Sequence, residues 1–449
     1  MSNTVVPIRP KFRIHEILRG RRTHVYLEQL LESQKLSAHE VNRAAFDKLR
    51  KLIRHCWQEV SFYRKLMEQN NIHPEKIQDF KDVKCLPVLE KNTIRKHLDH
   101  MVAKSYRKKV FKYNTGGSSG EPLVFYTDRH KEAMHNAHKF RARTWFGIYP
   151  GDRQVDFWGS PIELNKMNVL RKWKDRYWLN HVLLSAFDLS EQSLHNYVRF
   201  LLSFKPKLIY GYPSVIARVA QFVKDQQIEL QGYRPQLIVC TSEMLYPHQR
   251  ELLQQVFKSR VANEYGSRDG GLIAHECPEG KMHIMAEHVY IEVVNRDRDG
   301  IGDILVTNLD AYGMPFIRYK IGDRGKLAEN GSCSCGLPYP ILEKIAGRSN
   351  DFLIGKNGKR IHSLAPIYVL RDNRKLKQFK LLQKDYDQLE LQIVPVEPLS
   401  ELETQEIVQK MNRIFGRRMN VQFRFLDTIP PEKSGKYRYV VCEIPGAEN

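Results

Sequence analysis

Thr115-Gly116-Gly117-Ser118-Ser119-Gly120-Glu121-Pro122 is the stretch on which the reading of the fold turns. Three glycines let a backbone approach an anion closely, and the serine hydroxyls can bind phosphate oxygens. The Gly-Lys-Ser/Thr ending of a Walker loop is missing, which excludes that family. Taken alone, the stretch fits an ordinary hairpin turn equally well. Downstream, Val155-Asp156-Phe157-Trp158, Leu208-Ile209-Tyr210 and Leu237-Ile238-Val239-Cys240 read as buried strands. Between them run helical patterns, with Val215, Ile216, Val219, Ala220 and Val223, then Leu252, Leu253, Val256 and Phe257. Strands alternating with helices of this length predict an α/β domain with largely parallel pairing.

Upstream of the loop, apolar residues in 25–36 and 41–62 recur at three- and four-residue spacing, so the N-terminal region is expected to be helical. Pro87 closes that section. Downstream, 288–295 and 302–309 flank Arg296-Asp297-Arg298-Asp299-Gly300, an antiparallel ribbon signal. After Gly347 a small α+β unit is expected, with strands near 389–394 and 421–425 and a helix over 401–415. The expected architecture is α/β: a large N-terminal domain, 1–346, with mixed sheets, and a small α+β domain, 347–449.

The chain has 449 residues, 42% of them hydrophobic and 27% charged, a balance suited to a globular fold. No run approaches the roughly 18 apolar residues of a spanning helix. Met1-Ser2-Asn3 leads into no apolar h-region, so no secretory signal is expected. Seven cysteines are too few and odd in number for a disulfide framework, which points to a reducing, cytoplasmic setting. The net charge of +21 attracts polyanions: nucleotides, nucleic acid or an anionic membrane face. It does not choose among them, and solvated surface accounts for it as well.

Further motifs follow in order. Tyr265-Gly266-Ser267-Arg268-Asp269 comes after the strand-like Arg260-Val261-Ala262, and Arg318-Tyr319-Lys320-Ile321-Gly322-Asp323 is expected to follow another strand. Gly347-Arg348-Ser349-Asn350-Asp351 comes next, and Ser434-Gly435-Lys436 lies near the C-terminus. In this order and spacing they resemble the adenylate-forming (AMP-forming acyl/aryl-CoA ligase) superfamily. Leu86-Pro87-Val88-Leu89-Glu90-Lys91 and His275-Glu276-Cys277-Pro278 look like its phenylacetate-CoA ligase branch, with the CapK and coenzyme F390 synthetase relatives. The resemblance covers nearly all of the chain after about residue 40.

The resemblance implies ATP-dependent activation of a carboxylic acid to acyl-AMP, then acyl transfer, with CoA the expected acceptor. Thr115, Gly116, Gly117, Ser118, Ser119 and Gly120 would cover the ATP phosphates. Ser242, Glu243, Asn263, Glu264, Tyr265 and Gly266 would hold the adenine and line the acyl pocket. Asp269 would reach Mg²⁺, Asp323 the ribose hydroxyls, and Arg348 the ribose and phosphate. Lys436 would serve the adenylation step, Asn350 the hinge, and Gly358 the CoA tunnel. The chemistry agrees, because a carboxylate attacking phosphorus builds negative charge that donors, a metal and a cation must offset. Glu121 stands where many relatives have Lys, Arg268 where Thr is usual, Asp269 where Glu is usual, and Asn350 where Asp or Lys is commoner.

Trp158, Tyr210, Gly211, Tyr212 and Pro213 end strands where α/β folds bind ligands, and their aromatic character points to an aryl or small acyl group. Cys277, His283, Cys333 and Cys335 supply three thiolates and an imidazole, a set suited to a closed structural Zn²⁺ site. His275 and His288 are spare nitrogen candidates, and the alternative is four ordinary side chains. Cys56, Cys85, Cys240 and Cys442 are expected in the core. In 166–178, basic residues interleave with Trp173, Tyr177 and Trp178, which suits a solvated helix, a peripheral contact at the inner membrane face, or stacking on a nucleic acid or sugar acceptor. Adenylyl or acyl transfer to a hydroxyl or amine in cell-surface polysaccharide synthesis is the alternative activity. A basic zinc-containing nucleic-acid-binding protein is the alternative of another class; on the ligase reading, nucleic acid is not an expected partner.

Overall fold

The computed structural model describes residues 8–115, 123–158, 169–186, 189–329, 331–348, 352–358, 360–362, 364–371, 373, 375–430 and 438–444. The chain divides into two compact units, 1–321 with 325–345, and 322–324 with 346–449. The first begins with helices α1 (Pro10–Leu18), α2 (Thr23–Ser33), α3 (Ala38–Glu59), α4 (Ser61–Gln69) and α5 (Lys91–His97). A capping box starts α3, with Ser37 accepting from the Glu40 backbone and Glu40 answering the Ser37 backbone. Val41, Ala45, Leu49, Leu52 and Cys56 then face inward at helical spacing. The expected continuous helix over 41–62 is broken at Val60, whose backbone is extended.

Strands β1 (Val110–Asn114) and β2 (Val124–Asp128) pair antiparallel and lead into α6 (Arg129–Thr144). Asp128 caps that helix by accepting from the Lys131 backbone at 2.9 Å. The central sheet has seven strands: β3 (Gln154–Trp158), β4 (His181–Ser185), β5 (Leu208–Gly211), β6 (Leu237–Thr241), β7 (Arg260–Ser267), β8 (Gly271–Glu276) and β9 (Met282–Ile284). Their order is β4-β3-β5-β6-β7-β8-β9, parallel as far as β7 and antiparallel beyond it. Among the described residues, four helices connect the parallel strands: α7 (Val169–Tyr177), α8 (Glu191–Phe204), α9 (Pro213–Asp225) and α10 (Pro247–Phe257).

Both faces of the sheet are covered, which is why β5 and β6 are buried throughout and read as near-continuous apolar runs instead of alternating. Val155, Phe157, Ile209, Ile238 and Cys240 pack in one cluster with residues of α8, α9 and α10. Leu208, Tyr210, Leu237, Val239 and Ala262 form the other with Phe146 and Ile148, just past α6.

A second sheet follows, in the order β10 (Val289–Val294), β11 (Gly302–Asn308), β12 (Tyr319–Leu327), β13 (Leu342–Arg348). The first two form the expected ribbon. The Tyr265–Asp269 motif begins within β7, and the Arg318–Asp323 motif lies largely in β12. Both are expected after strands; in the structure β7 runs on into the first motif, and β12 begins within the second.

The second unit holds the hairpin β14 (Phe352–Ile354) and β15 (Arg360–His362), then α11 (Leu364–Arg371). Its sheet, in the order β18-β17-β16-β19, comprises β16 (Leu376–Asp385), β17 (Gln388–Pro395), β18 (Asn420–Phe425) and β19 (Val440–Cys442). Helix α12 (Glu401–Phe415) turns Ile407, Met411 and Phe415 inward. Among the described residues, no helix is long and apolar enough to cross a membrane. Cys56 and Cys240 are buried as expected, but Cys85 is exposed and Cys442 half-buried. Cys85 ends a 3-10 turn whose inward residue is Val83.

Candidate functional site

Strands β3, β5 and β6 end at Trp158, Gly211 and Thr241, and the residues after them lie at the carboxyl edge of the parallel sheet. Gly211 has φ 153, and a Cβ there would come within 2.4 Å of the Phe157 carbonyl oxygen, so the turn into Tyr212 and Pro213 requires glycine. Ser242 takes a left-handed conformation, φ 68, directly after β6. Glu243 accepts from the Ser214 backbone at 3.2 Å, tying this turn to the start of α9. On β7 the Asn263 backbone donates to Glu276 at 2.7 Å, and buried Glu264 accepts from the Tyr210 hydroxyl at 2.8 Å. Gly266 sits where a Cβ would lie 2.6 Å from the Gly271 carbonyl.

Asp269 is buried in the turn after β7. Its carboxylate accepts from the Tyr319 hydroxyl at 2.7 Å, and its carbonyl accepts from the Lys131 ammonium at 3.0 Å. Tyr319 in turn pairs with Leu89, whose amide donates to the Arg318 carbonyl at 3.0 Å. Two motif stretches far apart in sequence are thus stitched together beside Asp269. Arg318 fixes the junction by a two-point ion pair with Glu292, at 2.9 and 3.1 Å, and by donating to the Lys84 and Leu86 carbonyls. Thr115 closes the base of the β1–β2 hairpin, its Oγ1 and amide bonding the Leu123 backbone at 2.9 Å each. Gly116, Gly117, Ser118, Ser119 and Gly120 lie outside the described residues.

One feature escaped the sequence reading. Lys131, His135, Lys139 and Arg143 recur every fourth residue on α6, so they share one helix face over about 18 Å. Such spacing ordinarily marks a solvated basic stripe, yet Lys131 and Arg143 are buried. Lys139 Nζ lies 3.8 Å from the Tyr210 ring centroid and 4.0 Å from Glu264. The Arg143 guanidinium is 4.9 Å from the same ring and donates to Gln154 at 3.0 Å. Burial pushes Lys139 down to about 8, with Glu264 acting against it. Burial would raise the Glu264 carboxyl, but Lys139 and Arg143 outweigh it and hold it below the usual range. Trp158 stacks on Tyr212 at 4.5 Å and on Tyr210 at 5.9 Å.

The four expected metal ligands converge. The donor atoms of Cys277, His283, Cys333 and Cys335 all lie within 4.8 Å of one another. Cys277 and Cys333 sulfurs are 3.7 Å apart, and Cys335 sulfur is 3.2 Å from His283 Nε2. Two thiolates on a tetrahedral zinc at the usual bond length would stand about 3.8 Å apart. His283 Nδ1 meets the Tyr339 carbonyl at 3.0 Å, which leaves Nε2 as the ligand nitrogen. The set fits zinc. His275 and His288, the spare candidates, are engaged elsewhere: His275 Nδ1 with the Glu276 carbonyl, and His288 Nδ1 with Asp310 at 2.6 Å.

In the second unit's residues, Asp323 is half-buried on β12 and Arg348 ends β13. Gly358 has φ 71, and a Cβ there would meet nothing within 4 Å. Asn350 and Lys436 lie outside the described residues. Of the basic stretch 166–178, Val169–Tyr177 is helical, with Trp173 and Tyr177 exposed. Trp178 donates to the Lys11 carbonyl at 3.0 Å, which joins this segment to α1.

Residues 353–443 match the model of the CapK C-terminal domain family. Protein CapK of Staphylococcus aureus is 26% identical over 450 residues, covering 99% of this chain and 97% of the relative. A phenylacetate-coenzyme A ligase of Thermus thermophilus is 20% identical over 89% of this chain and 92% of its own. Among solved structures, 2-hydroxyisobutyryl-CoA ligase in the postadenylation state with R3-HIB-AMP superposes with a TM-score of 0.73 at 19% identity, over 91% of both chains. The anthranilate CoA ligase AuaEII with anthranoyl-AMP gives 0.52 at 16% identity, over 75% of this chain and 67% of its own.

Proposed function

We propose, from the premise that this chain belongs to the adenylate-forming ligase family, that it activates a carboxylic acid with ATP to an acyl adenylate, releasing pyrophosphate, and passes the acyl group to CoA. The observation that carries the reading is the gathering of the motif residues at one sheet edge. Tyr210, Gly211, Ser242, Glu243 and Glu264 lie on or just after neighbouring strands, and Asp269 follows in the turn after β7. The similarity to CapK and to phenylacetate-CoA ligases along most of the chain supports it. Acid-dependent exchange of labelled pyrophosphate into ATP tests it.

In this reading the 115–120 loop covers the phosphates, and the turn from Ser242 to Glu243 receives the adenine with Asn263 to Gly266. Asp269 would hold Mg²⁺, a hard cation suited to its oxygen donor, and the metal when bound offsets phosphate charge. Tyr319 orients that carboxylate through its hydroxyl. Asp323 takes the ribose diol and Arg348 the neighbouring phosphate. Lys436 supplies positive charge as the carboxylate attacks, in a small domain, 347–449, that turns about Asn350. Gly358 then lines the path of CoA.

Zn²⁺ held by Cys277, His283, Cys333 and Cys335 is structural in this account. Four protein ligands leave no open coordination position for substrate. Transfer to a sugar hydroxyl or amine in polysaccharide synthesis is the second reading, favoured by the similarity to CapK over 99% of the chain.

An anionic membrane face is the proposed contact of α1 and α7. Ile14, Ile17, Leu18, Trp173 and Tyr177 are exposed there, among Lys11, Arg13, Arg19, Lys174 and Arg176. Apolar and aromatic side chains ringed by cations suit a lipid headgroup layer.

A further inference from the structure

The acyl side of the site is charged where an aryl-acid pocket would be apolar. Tyr210 and Tyr212 are 7% and 4% exposed, so little aromatic surface remains to line a pocket. Their rings are spent on Trp158, Lys139 and Arg143. What stands over Tyr210 is Lys139, whose side chain keeps 18% of its surface. Behind it, Arg143 Nε and Nη2 and Glu264 Oε2 are buried without a hydrogen-bond partner among the described residues. Arg143 and Glu264 are 3% and 5% exposed. Asp156 on β3 favours the charged form of Lys139 from a distance, while its own hydrogen bonds go to His181 on β4, at 2.8 Å, and to Gln154. A purely hydrocarbon substrate would leave these groups unpaired at a cost, whereas an oxygen function would complete them.

We propose that the acid activated here carries a second oxygen function on its chain, a hydroxyl or a carboxylate, which Lys139 binds with Glu264 and Arg143 behind it. Unsubstituted aryl and alkyl acids are then poor substrates. This rests on the adenylation reading above. A hydroxyl can donate to Glu264 while accepting from Lys139, and a carboxylate accepts from Lys139 and Arg143.

The test is pyrophosphate exchange by the full-length protein over chain-matched acids: butyrate, 4-hydroxybutyrate and succinate; hexanoate and adipate; phenylacetate and its 4-hydroxy derivative. The oxygenated member of at least one set should exceed its plain partner roughly 10- to 100-fold in kcat/KM, the range of one hydrogen bond to a charged group. Lys139→Met should erase that preference, lowering kcat/KM for the oxygenated acid, chiefly through KM, far more than for its plain partner; Lys139→Arg should keep much of it. Preference for plain acids in every set would overturn the proposal while leaving the adenylation reading intact. An equal fall for both members in a folded Lys139→Met would overturn it too, by showing a merely structural lysine. Exchange with no acid at all would contradict the adenylation reading, and the proposal with it.

Discussion

The sulfur of Cys277 lies 3.7 Å from that of Cys333, although 56 positions separate them in the chain. Cys277 follows β8 and Cys333 lies between β12 and β13, so the pair joins the central sheet to the segment linking two strands of the next. We predict that the purified protein carries one zinc per chain. Because metal binding free energy becomes folding free energy, Cys333→Ser should deplete the zinc and lower Tm, at a cost of several kcal/mol. Elemental analysis with a melting curve checks both, and a metal-free wild type of equal stability would contradict the assignment.

Asp269 and Tyr319 give a graded pair of variants. Asp269→Asn removes the proposed metal-binding charge and should depress acyl-AMP formation by about 100-fold or more, the usual cost of losing a preorganised electrostatic contact. Tyr319→Phe removes one hydrogen bond and should cost far less, with the larger part recovered at high Mg²⁺. Single-turnover acyl-AMP formation across Mg²⁺ concentrations measures the difference. Equal losses in the two would show that Asp269 serves the fold rather than the metal.

Much of this arrangement was legible in the sequence. The α/β alternation, the β10–β11 ribbon and the helix over 401–415 follow from periodicity and turn chemistry, which are local. The four zinc-type ligands were readable because cysteine and histidine carry chemistry that few other roles need. The ladder on α6 was not readable. Lys131, His135, Lys139 and Arg143 have the spacing of a solvated face, and only side-chain contacts with Asp269, Tyr210 and Glu264 reveal that the ladder points inward. The break at Val60 was equally hidden, since the apolar period continues through it into Ser61–Gln69. Aromatic residues at the ends of β3 and β5 suggested an aryl or small acyl group; that their rings pack on each other and on two cations is a tertiary contact the sequence does not show.

A pH profile separates the role of Lys139 from general effects. Its ammonium is pushed down to about 8, so the charged form prevails below that pH and is lost above it. Glu264 on β7, Asp156 on β3, Tyr210 on β5, His275 on β8, and His135 and Arg143 on its own helix are the groups that face it. KM for a dicarboxylic acid should therefore rise as pH passes through about 8, while KM for ATP does not follow. Lys139→Arg should move the rise to higher pH, because guanidinium stays charged. A profile unchanged by that substitution would assign the titration to another group.

The α1–α7 surface predicts salt-sensitive binding to vesicles rich in phosphatidylserine and little to neutral ones. Replacing Trp173 and Leu18 by Ser should weaken sedimentation with anionic vesicles and leave pyrophosphate exchange unchanged. Equal binding to neutral and anionic vesicles, or none to either, would contradict a charge-directed membrane contact.

Lys436 divides the proposed reaction into its halves. Lys436→Ala should slow acyl-AMP formation roughly 100- to 1,000-fold while sparing acyl transfer from supplied acyl-AMP. Lys433→Ala should be nearly silent and controls for charge. Equal losses in both halves with folding unchanged would contradict a lysine that acts only in the first.

The most direct measurement is exchange of labelled pyrophosphate into ATP by the wild-type protein across hydroxy, dicarboxylic, aryl and short-chain acids. Acid-dependent, Mg²⁺-dependent exchange, abolished by Asp269→Asn and reduced by Lys436→Ala, is the predicted result. Absence of exchange with every acid by folded, zinc-replete protein would contradict the adenylation account.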